Sequence, residues 1–146
     1  IDLGNLPYTT KPRMLPDKEL RLYGLLTDVI NKQTAVVVPK AHLSEILDLM
    51  PSASQRAEYA RRLKERSVDF LVCTRQDMAP RLGIITESRN EGESQRQNRK
   101  FVEQAAQMAG LPLLILDINQ LPGQSPLAAM LQNAGLSLEI DESYLK

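Results

Sequence analysis

Apolar residues return every three or four positions at Leu22, Leu25, Leu26, Val29 and Ile30, a spacing that places them on one face of a helix running to about Asn31. Pro16-Asp17-Lys18-Glu19 opens it, and Asp17 suits the cap or first turn, where a negative charge meets the positive end of the helix dipole. The pattern then changes. Thr34 to Val38 is a β-branched run that predicts a buried strand, with Pro39 marking its end. Ser44 to Met50 predicts a short helix stopped by Pro51, and residues 53–66 a second helical stretch. Ser67-Val68-Asp69-Phe70-Leu71-Val72 reads as a strand that carries an acid. Residues 74–80, with Gln76-Asp77-Met78-Ala79-Pro80, form a turn into a strand from Gly83 to Glu87, so the two strands are expected to pair as an antiparallel hairpin.

Ser88 to Asn98 is polar and reads as a loop leading to a helix of Phe101, Val102, Ala105, Ala106 and Met108. Gly110 is a natural cap for its C-terminus, and Pro112 prevents continuation. Leu113 to Leu116 is apolar on both sides, as expected of a strand in the centre of a sheet. Ser125-Pro126 starts a last helix, Gly135 stops it, and Leu136 to Ile140 predicts a closing strand. The first sixteen residues contain Pro7, Pro12 and Pro16 with few periodic apolar positions. The expected organisation is therefore an extended leader over residues 1–16, an α/β core over 17–116, and a C-terminal helix and strand over 117–146 packed on the same domain. Helices before and after a central sheet define an α/β class with a mixed central β-sheet flanked by helices.

Composition narrows the functional classes. With 146 residues the chain is long enough for one real core, and its 18 basic and 18 acidic side chains cancel. No global field draws it to nucleic acid or an anionic membrane, so any nucleic-acid contact needs a local patch. The single cysteine, Cys73, cannot form an internal disulfide, and no Cys or His pair stands at zinc spacing. No apolar stretch approaches the roughly 20 residues that cross a bilayer. A cytoplasmic segment without membrane contact is expected. Because the chain begins at Ile1 rather than Met, it is also expected to be part of a longer protein, and an upstream membrane anchor remains compatible with it.

Several short motifs occur in a consistent order: Leu6-Pro7-Tyr8; Leu15-Pro16-Asp17-Lys18-Glu19 with Tyr23 and Leu26; Val68-Asp69-Phe70-Leu71-Val72-Cys73; and Ala109-Gly110-Leu111-Pro112-Leu113-Leu114. On these residues the chain resembles the bacterial family called domain of unknown function 2726, itself similar to the PD-(D/E)XK nuclease-like superfamily. The resemblance spans about Leu6 to Leu116 and leaves the tail from Asp117 outside. It implies a restriction-endonuclease-like (PD-(D/E)XK) core, with an acid on the first helix, an acid on one strand and an acid-x-lysine on the next. Such acids hold a divalent metal that stabilises charge on the attacking and leaving oxygens of a phosphodiester.

Carried over by position, Glu19 matches the helix acid and Asp69 the first strand acid. On the second strand the family reads Ile-Glu-Leu-Asp-Asp, which puts Ile85 at the glutamate and Glu87 at the following aspartate. The histidine-bearing turn appears as Arg89-Asn90-Glu91, and the aspartate of the next helix is matched by Arg99. Glu19, Asp69 and Glu87 are then remnant catalytic acids. The expectation is a catalytically degenerate nuclease-like domain, more a binder than an enzyme, acting as a nucleic-acid-binding or partner-binding module of a larger bacterial protein. No cofactor is expected of it. The alternative is an active nuclease in which Asp69 and Glu87 hold Mg²⁺ or Mn²⁺, with Arg89 in place of lysine. Two basic clusters, Arg61 and Arg62 on one helix and Arg89, Arg96, Arg99 and Lys100 near the cleft, are candidate contacts to a DNA or RNA backbone. A third reading is a protein-interaction module or homodimer built on the tail, with its Leu136 to Ile140 strand free for pairing.

Overall fold

The β-branched run after Thr34 forms a strand longer than its apolar signal: β1 spans Ala35–His42 and passes through Pro39. In the computed structural model, which describes residues 1–146, β1 lies at one edge of the sheet. An edge strand needs hydrogen-bond donors on one side only, so Pro39 interrupts nothing, contrary to its expected role as a terminator. The other elements in chain order are α1 (Asp17–Val29), α2 (Leu43–Ile46), α3 (Arg56–Lys64), β2 (Ser67–Thr74), β3 (Pro80–Glu87), α4 (Glu93–Ala109), β4 (Leu113–Asp117) and α5 (Gln124–Asn133). Strands run in the order β1-β2-β3-β4, with the first two pairings antiparallel and β3–β4 parallel. The chain is thus mixed α/β, a four-stranded mixed sheet with helices on both faces.

One face packs α1 and α5 on the sheet. Leu22, Leu26 and Val29 of α1 and Leu127 and Leu131 of α5 meet Phe70, Val72, Leu82 and Ile84, and the Tyr23 and Phe70 rings lie 6.0 Å apart. The other face carries α2, α3 and α4, whose Leu43, Leu63, Val102 and Ala106 cover Val68, Leu71, Cys73 and Ile85. Gly110 takes the left-handed conformation (φ 81°) that the end of α4 requires, and Leu111 N–H closes the cap on the Ala106 carbonyl at 2.9 Å. No helix is long and apolar enough to cross a membrane.

Four further expectations need correction. β4 is the opposite edge strand, not a central one; it is apolar on both sides because helices cover both faces of the sheet, while its outer edge is open. α4 begins at Glu93, inside the supposed loop, since its polar first turns face solvent and are held by the ion pair of Arg96 with Glu93 and by Gly92 N–H donating to Gln95 Oε1 at 3.2 Å. The helix predicted to reach Met50 ends at Ile46: Leu47 and Leu49 both pack on the second core, and residues two apart share a face only in extended chain.

The tail supplies the fourth correction. Leu136 to Ile140 forms no strand; Ile140 makes one bridge to Ile30, and both are buried. Around it, Asn31 N–H donates to the Glu139 carbonyl (2.8 Å), Thr34 Oγ1 donates to the Leu138 carbonyl (2.8 Å), and the buried Glu139 carboxylate pairs with Arg81 of β3 at 3.1 Å. A segment fastened in this way has no free edge for pairing. At the other end of the chain, residues 1–14 are all exposed, with one short turn at Leu3–Asn5, and Leu15 is the first to enter the core. Lys40 Nζ donates to the Met14 carbonyl at 3.0 Å.

Candidate functional site

Regular alternation would hide Asp69 within the sheet; a break in it lifts the residue out. β1 and β2 pair from Ala35–Thr74 to His42–Ser67, yet Lys40 and Asp69, which face each other, are unpaired, and Lys40 has φ 55°. Val38 and Ala41 on one strand, and Leu71 and Val68 on the other, pack into the same core although each pair is three residues apart. Strict period two forbids that, so both strands turn over once at Lys40 and Asp69. The Asp69 carboxylate then meets β3, where its Oδ2 accepts hydrogen bonds from Thr86 N–H (2.7 Å) and Thr86 Oγ1 (3.2 Å). Burial pushes the Asp69 carboxyl above the ordinary range, the Thr86 bonds offset part of that, and the nearby Glu19 carboxylate adds to it. Glu19 sits half-buried in the first turn of α1.

Asp69 opens on a polar cleft of about 350 Å³ between α4 and the sheet, with Arg66, Ile85, Thr86, Arg99 and Val102 in its walls. Ile85 is buried against Val102. Arg99, with a largely buried side chain, is ion-paired to Glu91 and lies 3.7 Å from Glu87 and 3.9 Å from Glu103. Its hydrogen bond holds the Glu91 carboxyl below the ordinary carboxylate range, and the carboxylates in turn raise the guanidinium. Arg99 therefore acts as the cleft's own fixed cation. Arg66 stacks its guanidinium 4.4 Å from the Phe101 ring and donates to the Arg62 carbonyl at 3.1 Å, leaving its buried Nε without a partner.

Glu87 ends β3 opposite Asp117 of β4. Beside it, Asn119 Nδ2 donates to Ser88 Oγ at 3.1 Å, Asn119 N–H donates to Asp117 Oδ1 at 2.9 Å, and Lys18 Nζ donates to Asn119 Oδ1. The structure thus brings Asp69 within the field of Glu19 and ties Glu87 to Arg99, but no three acids, histidines or cysteines converge as a metal shell. Among the predicted backbone contacts, Arg61 pairs with Glu58 and Glu65, Arg62 with Glu58, Arg96 with Glu93, and Arg99 as described. The hydrogen bonds from Arg61 and Arg62 lower the Glu58 carboxyl to about 2. Of the six predicted contacts, Arg89 and Lys100 alone enter no ion pair. Arg66, Lys18 and Asn119 escaped the sequence reading: Arg66 is one cation in a charged run, and the other two meet across a separation of 101 residues.

These features define a mixed α/β domain with a half-buried aspartate at the opening of its sheet and an arginine-filled cleft beside it. The chain belongs to DUF2726, a family of proteins of unknown function, which it matches over residues 11–134. The match runs past Leu116 through α5, so the first helical part of the tail is family sequence and not an addition to it. No curated protein matches the chain, and no solved structure does.

Proposed function

We propose that this chain is a nuclease-like domain, with a restriction-endonuclease-like core, that has lost catalysis and serves in the cytoplasm as a binding module for a macromolecular partner. The observation that carries the reading is the content of the cleft. Where the resemblance places a second metal-holding acid stands Ile85, which offers no donor and is packed on Val102. Where it places an aspartate on the following helix stands Arg99, whose guanidinium brings a fixed positive charge against the very carboxylates a cation would need. Asp69 Oδ2 is already engaged by Thr86, and burial pushes its carboxyl above the ordinary range. These residues do not fit Mg²⁺ or Mn²⁺. The distribution of charge moves weight from nucleic acid toward a protein partner, because four of the six candidate backbone-binding cations are neutralised within the fold.

Calorimetric titration of Mn²⁺ into the chain and its Asp69→Ala variant tests the loss of catalysis without a guess about substrate. The expected result is no saturable heat in either protein and no metal-dependent cleavage of duplex or single-stranded DNA. Saturable binding abolished by Asp69→Ala, together with cleavage, would overturn the reading in favour of an active nuclease using Asp69 and Glu87.

A further inference from the structure

On the α3–α4 side, the chain from Leu47 to Ala53 and residues of the two helices line a groove of about 530 Å³ that shares no residue with the Asp69 cleft. Its floor and walls are almost wholly apolar: Leu49, Met50, Tyr59, Leu63, Phe101 and Met108. Met50 and Met108 are 62% and 74% exposed, so the groove presents its apolar surface to solvent. Isolated exposed apolar residues are ordinary, but a concave row of them of this size marks a binding surface. Methionines at its rim suit a surface that must adapt to an incoming side chain.

A second hollow of about 260 Å³ continues the groove, sharing Leu47, Asp48, Leu49 and Leu63 with it, and its wall adds Arg56 and Lys64. Arg56 donates to the Met50 carbonyl at 2.8 Å, which shapes the loop but leaves the charge unmatched, and neither Arg56 nor Lys64 enters an ion pair. Asp48 is the one acid that lines the same hollow. The groove is therefore apolar along its length and net positive at one end.

We propose that this groove docks an amphipathic helix of a partner protein, apolar along one face and acidic at the end that lies over Arg56 and Lys64. An amphipathic helix offers an apolar groove side chains spaced three, four and seven apart. The two cations set its direction and speed its approach. A second copy of this chain offers no amphipathic α-helix for it: apart from the groove's own Tyr59 and Met108, the large exposed apolar residue on its α-helices is Leu20 of α1, and the others lie in residues 1–14, in loops or in β4. Nucleic acid is a poorer occupant, because the groove offers one exposed aromatic ring and its cations lie at one end only. The surface is separate from the Asp69 cleft, so the proposal stands or falls independently of whether the cleft cleaves anything.

The test uses two synthetic helical peptides of about 18 residues. They share one leucine-rich face; one carries glutamates at one end and the other carries lysines there. Fluorescence anisotropy against the full chain is expected to show the acidic peptide binding at least about tenfold tighter. Met50→Gln with Met108→Gln, both at exposed positions, should weaken it by at least about tenfold while circular dichroism stays unchanged. Lys64→Glu should erase the preference between peptides. Equal binding of the two peptides, or binding untouched by the double variant, overturns the proposal. So does concentration-dependent self-association removed by the same double variant, which would assign the groove to a second copy.

Discussion

Deleting residues 117–146 should abolish the fold. The tail contributes Leu127, Leu131, Leu136 and Ile140 to the core under α1, each at most 1% exposed. Full burial of one such side chain is worth about 1.5–3 kcal/mol, so the four together supply on the order of 6–12 kcal/mol. Domains of this size are stable by about 5–15 kcal/mol in total, so a loss of about 6–12 kcal/mol is comparable with the whole margin. The deletion also exposes the α1 face and leaves Arg81 without Glu139. Urea unfolding followed by circular dichroism should show one cooperative transition for the full chain and none for residues 1–116. A point variant grades the effect: Leu136→Ala should lower stability by about 3 kcal/mol, within the usual cost of emptying a fully buried leucine site. A truncated chain that unfolds cooperatively, with a midpoint equal to that of the full chain, would refute the reasoning and return the tail to the status of an appendage.

Three further outcomes follow from the site and the backbone. Asp69 titrates above its ordinary value in the fold, so the folded state binds the proton more tightly; stability is greatest below the unfolded value and declines as pH rises through the folded one. Asp69→Asn, which can still accept from Thr86 N–H, should remove that decline and be at least as stable as the parent at pH 7 in urea melts made from pH 3 to 8. Arg99→Ala removes the counter-charge that depresses Glu91, a contribution present above the unfolded carboxyl value and lost as pH falls through the folded one. The variant should melt lower at neutral pH, with the deficit shrinking on acidification, and a deficit independent of pH would contradict the ion-pair account. Gln55 precedes α3 in the left-handed region (φ 53°) with no side-chain cap bond; Gln55→Gly should gain about 0.5–1 kcal/mol by thermal unfolding, since only glycine enters that region freely.

The β2–β3 hairpin and the Gly110 cap were legible in the sequence because each rests on local chemistry: a turn between two β-branched runs, and a residue free to adopt positive φ. Asp69 was legible as an acid with apolar neighbours, which must find partners once buried. Its partner was not. Thr86 reaches it only because β1 and β2 turn over at Lys40 and Asp69, and period-two reasoning assumes that no such break occurs. The position of β4 was misjudged for a related reason: apolarity on two faces reports helices above and below a strand but says nothing about its lateral neighbours. Leu136 to Ile140 alternates like a strand, yet its leucine and isoleucine serve a helix-lined core through irregular backbone. The Lys18–Asn119 hydrogen bond and the stacking of Arg66 on Phe101 join residues far apart in sequence, where spacing carries no signal.

Pro39 and Lys40 stand side by side on the open margin of β1. A foreign strand approaching there meets a missing N–H and then a peptide turned out of line, so it gains only one or two ladder bonds before the template fails. The far margin, β4, has no such interruption along Leu113–Asp117 and shows Ile115 to solvent. Growth of the sheet by addition of strands is consequently one-sided. Under heat or crowding, ribbon formation should nucleate at β4, and a charged residue in place of Ile115 is the substitution that would blunt it.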